Sequence, residues 1–387
     1  MKPSIIVTLM ITITCLAQAS ADNQFKPIFN GIDLTGWTGD PNFWSVKDNC
    51  IVGNIPEGTQ LENHSYLIWQ GGTIRNFELT CEFKTTTGNS GIDYRATRLQ
   101  PESQTPTWIL EGYQFDIINN WMASLYNWGK PGAQPGQFVH VISKNDKARL
   151  FDYPLADPNL LRQHYYKSGQ WNRVHIIARG NHIIHRLNNY QTVEFIDAGP
   201  FARYHGLLGF QLHRGRRPSL QQFRNIQLKT LPDHYSSAQI LFDGSTLENF
   251  TPVDATPDDW QITENAFTTK ADKGFLKCNR LFRNYILRFQ YISSSTPPDI
   301  LIDFKESDPE KSFRLSPLLS SVKVPRLTGF WNDMEIQVLD TKAVLKTNGT
   351  RQLSPTLLHR YKAPFAFDIT PGKKIRNVIL IPIEQVP

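Results

Sequence analysis

Hydrophobic and polar residues alternate along many short segments of this chain, which is the pattern of strands with one buried face. In residues 75–84, for example, Phe77 and Leu79 fall on one face and charged side chains on the other. Residues 180–181 and 188–189 are Gly-Asn and Asn-Asn pairs, which favour tight turns between antiparallel strands. No segment has the pattern of a long amphipathic helix, so the sequence predicts an all-β protein of packed antiparallel sheets.

Three of these segments have polar faces that differ from an ordinary solvated surface. They are residues 90–95, 111–117 and 206–215, and each would direct its apolar side chains into the core. The opposite faces carry Asp93, Arg95, Gln114, Asp116, Gln211 and His213. If the three strands share one sheet, these side chains combine acidic, basic and hydrogen-bonding groups on one surface, which indicates a functional site.

Residues 119–157 form a long segment that is rich in Gly, Pro and aromatic residues, among them Tyr126 and Trp128. A loop of this length in a compact domain usually has a function. We therefore expect it to form one wall of a binding cleft.

Five segments of the second half match five segments of the first half in the same order, which indicates an internal duplication. Residues 242–250 match 29–37, 259–265 match 43–49, 282–287 match 74–79, 329–332 match 169–172, and 375–378 match 223–226. Residues 302–305 are aligned with 92–95, and 367–370 with 210–213. The second copy is shorter, lacks counterparts of Gln114 and Asp116, and has Thr370 in place of His213. We expect it to be a scaffold without the site.

The bulk composition agrees with two globular domains, which we place at residues 22–232 and 238–387. The chain has 387 residues, of which 40% are hydrophobic and 20% charged. Aromatic residues make up 12%, which suits a β-rich protein with sugar-contacting surfaces. Apart from Cys15, which lies in the first 21 residues, the chain has three cysteines: Cys50, Cys81 and Cys278. Because three is an odd number, no disulfide framework is expected.

Residues 1–21 have the pattern of a secretory signal peptide, with Lys2, an apolar run and a cleavage site after Ala21. The apolar run is too short to span a bilayer, and no later stretch is long enough. We therefore expect an exported protein, periplasmic or secreted, without a membrane span. Without Lys2, 40 basic residues stand against 35 acidic ones, and this dispersed excess does not indicate nucleic-acid binding. The sequence leaves the oligomeric state open.

Several motifs in the first half together resemble the bacterial 3-keto-disaccharide hydrolase domain family, a group of exported proteins. The motifs are residues 29–37, 89–92 with Arg95, 112–116, 124–126, 171–172, 211–213 with Gly215, and 223–226. The resemblance implies a concanavalin A-like β-sandwich, or jelly roll, with the ligand on the concave face of one sheet. It also implies cleavage of glycosides whose sugar carries a ketone at carbon 3.

The implied chemistry needs a base, an electrostatic stabiliser and an acid. A ketone at carbon 3 acidifies the hydrogen on carbon 2, so that a base can remove it and the enolate can expel the glycosidic oxygen. We assign His213 or Asp116 as base or acid, and Arg95 as the stabiliser. The residues that would bind or orient the sugar are Gln114, Gln211, Tyr126, Asp93 and Glu111. A divalent cation held by His213 with Asp116 or Glu111 is an alternative, although no compact ligand spacing supports it.

Less specific interpretations exist for each of these residues. His213 can be a structural histidine at a strand end, Asp93 and Arg95 can pair with each other, and Tyr126 can pack within its loop. The other candidate histidines have no comparable polar company and are expected to be surface or structural: His64, His175, His185 and His205.

Two other functions compete with a keto-glycoside hydrolase. One is a carbohydrate-binding module without catalysis, because the same sandwich serves lectins and enzymes. The other is conventional hydrolysis by two carboxylates, which an isolated acidic pair within reach of the cleft would support.

Overall fold

The computed structural model describes two compact units, one that ends at Asp233 and one that begins at His234. The described residues are 24–99, 109–118, 121–144, 147–155, 157–233, 235–272, 274–292, 299–302, 304–305, 307, 312–315, 331–340, 342–353 and 362–383. The predicted signal peptide and the first half of the repeat segment 329–332 lie outside them. Cleavage after Ala21 and export therefore stay predictions.

The first unit contains sixteen strands and one short helix among its described residues. In chain order the strands are β1 (Lys26–Pro27), β2 (Trp37–Thr38), β3 (Trp44–Lys47), β4 (Cys50–Ile55), β5 (Ser65–Trp69), β6 (Phe77–Thr87), β7 (Ser90–Arg98), β8 (Leu110–Ile117), β9 (Leu125–Tyr126), β10 (Gln137–Lys144), β11 (Lys147–Pro154), β12 (Asn172–Arg179), β13 (His182–Leu187), β14 (Tyr190–Ala198), β15 (Leu207–Leu212) and β16 (Ser219–Thr230). The helix, α1, spans Pro158–His164 and begins after Asp157, whose side chain caps it.

These strands form two sheets, as the alternation predicted. The large sheet has the order β11-β10-β14-β13-β12-β6-β16-β4-β3, with β1 beside β16, and the small sheet has the order β2-β5-β15-β7-β8-β9. Neighbouring strands are antiparallel except β10 and β14, which run parallel. The predicted all-β antiparallel sandwich is therefore confirmed.

The core of the first unit lies between the two sheets and contains stacked aromatic rings. Phe210 of the small sheet stacks on Phe223 of the large sheet, with ring centroids 4.2 Å apart. Its other neighbour is the Trp37 ring, at 5.2 Å. All three side chains are buried. Because β15 alternates strictly, burial of Phe210 and Leu212 turns Gln211 towards the outer face of the small sheet.

Strand β7 breaks the predicted alternation at Arg95, and this corrects one sequence-based expectation. The register between β7 and β8 shifts between Tyr94 and Thr97, and Arg95 has a positive φ of 48°. Such a bulge re-aims the side chain, so Arg95 does not share the outer face with Asp93. Its buried guanidinium donates instead to backbone carbonyls, among them Gly180 O at 2.7 Å.

The second unit repeats this two-sheet organisation with fewer strands. Its strands are β17 (Gln239–Phe242), β18 (Phe250–Val253), β19 (Trp260–Thr263), β20 (Ala266–Thr269), β21 (Phe275–Cys278), β22 (Tyr285–Ile292), β23 (Asp299–Ile302), β24 (Phe313–Arg314), β25 (Asn332–Leu339), β26 (Lys342–Thr347), β27 (Thr350–Leu353), β28 (Ala366–Asp368) and β29 (Lys374–Pro382). One sheet has the order β19-β20-β29-β22-β25-β26-β27 with β17 beside β29, and the other β18-β21-β28-β23-β24. A 3-10 turn spans Pro257–Asp259.

Local details recur in both units and support the proposed duplication. Arg224 lies over the Trp171 ring at 3.9 Å, and Arg376 lies over the Trp331 ring at 4.0 Å. The asparagine that follows each arginine has a positive φ, of 51° in the first unit and 52° in the second. Each Arg–Asn pair lies at a bulge in a central strand of its sheet, β16 in the first unit and β29 in the second.

The strand register corrects one detail of the repeat alignment. Phe210 lies opposite Ile92 in the first unit, and Phe367 lies opposite Ile300 in the second. Ile300, rather than Ile302, therefore occupies the position of Ile92. The alignment of residues 302–305 with residues 92–95 was wrong by two positions, because alternating apolar residues look alike when shifted by two.

Within the described part of the chain, no helix has the length and hydropathy that a membrane span requires.

Candidate functional site

The outer face of the small sheet is polar at its centre. In one row across four strands, Tyr66, Gln211, Gly91 and Asp116 are direct neighbours. Gln211 and Asp116 flank Gly91, which puts their backbones two strand spacings, about 10 Å, apart. In the next row, Asp93 pairs with Gln114, which in turn pairs with Tyr126.

Gly91 lets a side chain lie flat across the sheet. A Cβ atom at this position would come within 2.4 Å of Cδ of Gln114, so the Gln114 side chain occupies the space that a larger residue would fill. The Gln114 amide reaches back to Asp93 and donates to its Oδ2 at 3.0 Å. The centre of this face is therefore backbone covered by one amide.

A cavity of about 690 Å³ opens over this face. A volume of this size is typical of small-molecule sites. Five of the eight residues predicted from the sequence line it: Gln114, Asp116, Tyr126, Gln211 and His213. The strands that were expected to share one sheet do so, and their polar residues meet in one cavity.

His213 is held in one tautomer by its own neighbour. Its Nδ1 lies 2.7 Å from the carbonyl oxygen of Arg214, to which it donates, so the lone pair of the neutral ring is on Nε2. The ring of His64 packs edge-on against it, with centroids 4.6 Å apart. A histidine with an open acceptor nitrogen at a cavity has the geometry of a general base.

His64 is a site residue that the sequence analysis missed. Its Nδ1 accepts a hydrogen bond from the Arg214 backbone N–H at 3.2 Å. Burial lowers the pKa of His64 to about 4, and the neighbouring His213 and Arg214 lower it further. His64 is therefore a neutral neighbour that restricts the ring of His213. It directly precedes β5, and knowledge of the β5–β15 pairing would have been needed to find it.

Asp116 carries a partly buried carboxyl group that lines the cavity. Ser124 Oγ donates a hydrogen bond to its Oδ2 at 2.6 Å. Burial raises the pKa of Asp116 to about 6, although the Ser124 hydroxyl acts in the opposite direction. A carboxyl that titrates near neutral pH can both donate and accept a proton.

The segment that carries Ser124 is held by a residue from the opposite sheet. His185 on β13 donates from Nδ1 to the carbonyl oxygen of Ser124 at 3.2 Å. The Tyr94 hydroxyl donates to its Nε2 at 2.7 Å. Burial lowers the pKa of His185 to about 3, so the ring is neutral. This histidine has the structural role that the sequence suggested, and it positions the partner of Asp116.

Three predicted site residues do not line the cavity. Asp93 lies beneath it, completely buried, and burial raises its pKa well above the ordinary range. Glu111 lies towards the opposite end of β8 and pairs with Arg203, with Oε1 and Nη2 2.5 Å apart. Arg95 binds backbone carbonyls, as described above. The alternative of an Asp93–Arg95 pair is not found either, since Asp93 accepts from Gln114.

Lys130 provides a positive charge that the sequence analysis assigned to Arg95. Among the described residues that line the cavity, it is the single lysine or arginine. Its Nζ lies 4.7 Å from the centroid of the Phe201 ring. Neither its sequence neighbours nor its spacing distinguishes this lysine from an ordinary loop lysine.

The segment of residues 119–157 forms the opposite wall, as expected, but with more structure than a loop. It contains β9, the hairpin of β10 and β11, and Asp157, which caps α1. The residues that it contributes include Trp121, Leu125, Tyr126, Trp128, Gln137, Val139, Leu150 and Asp152. Leu125 pairs with Ala133 through an isolated bridge, which extends the small sheet beyond β9.

The described residues contain no group of three or more His, Cys, Asp or Glu side chains that could hold a metal ion. His213, Asp116 and Glu111, the ligands considered from the sequence, do not form such a group.

The sequence profile of the 3-keto-alpha-glucoside-1,2-lyase-like domain matches residues 24–229, more than half of the chain and nearly all of the first unit. The chain belongs to this family. Membership makes it a carbohydrate-active protein of the glycosyl hydrolase type. It also confirms the resemblance that the motifs indicated. No curated protein matches the chain in sequence.

Solved structures with a similar sandwich include a candidate glycosyl hydrolase from Parabacteroides distasonis ATCC 8503. It is 23% identical, covers 54% of this chain and 100% of its own, and has a TM-score of 0.34. A second one from the same organism is 20% identical, covers 56% and 97%, and has a TM-score of 0.36. The carbohydrate-binding module CBM66 from Bacillus subtilis is 11% identical, covers 50% and 96%, and has a TM-score of 0.32.

The corresponding face of the second unit is closed by ion pairs. In the sheet β18-β21-β28-β23-β24 of the second unit, Asp368 is paired with Asp299, as Gln211 is paired with Gly91 in the first unit. Arg314 Nη1 pairs with both carboxylates, at 2.6 Å and 3.1 Å. The sheet face that lies under the cavity in the first unit is thus covered by paired charged side chains in the second. This supports the proposal that the second unit is a scaffold without the site.

Proposed function

We propose that the first unit cleaves the glycosidic bond of sugars that carry a ketone at carbon 3, by elimination followed by addition of water. The observation that carries this proposal is the placement of His213 and Asp116 in one cavity, with an open acceptor nitrogen on the first and a pKa of about 6 on the second. Family membership supports the same chemistry.

His213 is the base in this proposal. Its Nε2 takes the proton from carbon 2 of the keto sugar, and the electron pair moves into the enolate. The enolate then expels the oxygen on carbon 1, which leaves a double bond between carbons 1 and 2. Because Nδ1 donates to the Arg214 carbonyl, the imidazolium that forms keeps this hydrogen bond.

Asp116 is the acid that protonates the departing oxygen. Its raised pKa keeps part of the population protonated near neutral pH, and the carboxylate left after transfer accepts from Ser124. The same carboxylate can then remove a proton from a water molecule that adds to carbon 1, while His213 returns the proton to carbon 2. The net reaction is hydrolysis, with both groups restored.

Lys130, Gln114 and Gln211 are the groups that would bind the negative charge and the sugar oxygens. A lysine ammonium near the enolate stabilises the charge that develops on the ketone oxygen. Gln211 is oriented by a hydrogen bond from Nε2 to the Tyr66 hydroxyl at 2.8 Å, and Gln114 by its bond to Asp93. Tyr126, which is 45% exposed, offers a ring face to the sugar.

Two observations keep alternative functions in consideration. Trp121 and Tyr126 are large aromatic side chains exposed at the cavity, as in sugar-binding modules without catalysis. Asp116 and Asp152 both line the cavity, which provides the acidic pair that two-carboxylate hydrolysis requires. Asp152, however, accepts a hydrogen bond from Gln137 and lies on the β10–β11 hairpin of the other sheet.

One experiment separates the three functions. The intact protein is given a 3-keto-glucoside and its unoxidised parent, each with and without chelator, and release of the leaving group is measured. We expect cleavage of the keto form alone, unaffected by chelator. Cleavage of the parent at a similar rate would favour the two-carboxylate reaction, and binding without cleavage of either would favour a binding module.

A further inference from the structure

The cavity has two ends of different chemistry. The end over β5 and β15 carries His64, Gln211 and His213, all of them polar. The other end is formed by the segment after β8 and by the β10–β11 hairpin. Its apolar side chains are Ile118, Trp121, Val139 and Leu150.

Strand order places Asp116 between these two ends. Across the small sheet, β8 follows β15 and β7, and β9 and the Ala133 segment lie beyond it. His213 therefore lies on one side of Asp116, and Leu125 and Ala133 lie on the other, where the chain enters the β10–β11 hairpin four residues after Ala133. If Asp116 protonates the glycosidic oxygen, the sugar occupies the His213 side and the leaving group occupies the hairpin side.

Two polar side chains on the hairpin side, Gln137 and Asp152, bind each other. Gln137 Nε2 donates to Asp152 Oδ2 at 2.6 Å, and the Gln134 backbone N–H donates to Gln137 Oε1 at 2.7 Å. The exposed side chains at this end include two large apolar ones: Trp121 is 46% exposed and Leu150 is 52% exposed. Large apolar side chains left accessible in a cavity favour an apolar ligand.

We infer that this end binds an apolar, planar leaving group, so that the substrate class is keto-glycosides of aryl alcohols. The inference rests on the proposed function for its orientation, and it names the leaving group of the same site. A second sugar ring in this position would place hydroxyl groups against Ile118 and Leu150, where they would lose hydrogen bonds to water without replacement. An aryl ring would instead bury its faces against these side chains and the Trp121 ring.

The test compares two substrates in three proteins. The substrates are the 3-keto forms of a phenyl glucoside and of a glucose disaccharide, each supplied as both anomers. The proteins are the wild type, Leu150→Asn and Ile32→Asn. Ile32 is 78% exposed and outside the cavity, so it controls for an exposed apolar-to-polar change. Each variant is compared with wild type on the same substrate, because the two leaving groups differ in acidity.

We expect Leu150→Asn to lose about tenfold more kcat/KM on the phenyl substrate than on the disaccharide. The substitution removes the apolar contact that the bound phenyl ring would bury against Leu150. Ile32→Asn should match wild type on both. Equal losses on the two substrates, or no loss on the phenyl substrate, would overturn the inference.

If the wild-type protein cleaves neither keto substrate, the proposed function is wrong. The apolar leaving-group site can then still be tested by a binding measurement. Titration with unoxidised phenyl glucoside and with methyl glucoside should then show at least tenfold tighter binding of the phenyl compound, lost in Leu150→Asn. Equal affinities would overturn the apolar leaving-group site independently of catalysis.

Discussion

The hydroxyl of Ser124 lies 2.6 Å from Oδ2 of Asp116 and donates a hydrogen bond to the carboxyl group. Burial raises the pKa of Asp116 and this bond lowers it, and the balance is about 6. Ser124 itself is held by His185, a residue of the opposite sheet. The acidity of a group in the cavity therefore depends on a contact that crosses the core.

Removal of this hydrogen bond should shift the pH profile. In Ser124→Ala the pKa of Asp116 should rise above about 6, because the remaining effect is burial. Since the proposed mechanism uses Asp116 in its protonated form, the fall of kcat/KM on the alkaline side should move to higher pH. A profile of kcat/KM against pH for a 3-keto-glucoside checks this, and an unchanged or acid-shifted limb would show that Asp116 is not the acid.

Substitution of the proposed base should remove turnover and leave binding. General-base catalysis contributes about 10²–10⁴-fold, so His213→Ala should lose turnover of this order while its affinity for the sugar changes little. His205→Ala is a matched control, because His205 is exposed and does not line the cavity. If His213→Ala lost affinity and turnover together, or neither, the histidine would not be the base.

A methyl group on the floor of the cavity should disturb sugar binding more than folding. In Gly91→Ala the new Cβ would lie 2.4 Å from Cδ of Gln114 and would push this side chain away from Asp93. We expect KM to rise about tenfold, which corresponds to one lost hydrogen bond of about 1.4 kcal/mol. Thermal unfolding should show only a small loss of Tm, and a large loss with unchanged KM would contradict the prediction.

The buried His185 should make stability depend on pH in a defined window. Its pKa is about 3 in the folded protein and ordinarily 6.5, so below pH 6.5 the unfolded chain binds a proton that the folded protein does not. The stability contributed by the neutral ring is complete above pH 6.5 and is lost as the pH falls towards 3, by up to about 1.4 kcal/mol per pH unit.

The variant His185→Gln isolates this contribution. At pH 7 we expect it to be less stable by about 1–3 kcal/mol, because buried hydrogen bonds to Tyr94 and Ser124 are perturbed. The difference from wild type should shrink as the pH is lowered, since glutamine does not titrate. Urea unfolding at several pH values measures both, and a difference that is constant or grows at low pH would refute the assignment.

Much of the fold could be predicted from the sequence, because alternation with period two reports which face of a strand is buried. The segments around Gln114 and Gln211 follow it strictly, and these residues lie together on the outer face. Arg95 could not be placed, because a bulge adds a residue locally and leaves no mark in the alternation. Once the bulge is present, the side chain leaves the face that the pattern assigns to it.

The remaining parts of the site depend on strand pairing and on burial. His64 became a neighbour of His213 only because β5 and β15 are adjacent. The pKa of Asp116 near 6 is a result of burial, which the sequence of β8 does not reveal. Lys130 and the apolar hairpin are brought to the cavity by chain connections over long loops, for which single-sequence patterns contain little information.

Strand β15 serves the core and the cavity at once. Phe210 and Leu212 pack between the sheets with no exposed surface, while Gln211 and the adjoining His213 face the cavity. A substitution on either face of this strand thus has a direct consequence, for stability on one side and for chemistry on the other. Residues 208–213 should accordingly tolerate mutation less than other stretches of the chain. In a library of random variants selected for activity, the wild-type residues should be retained at almost all of these positions.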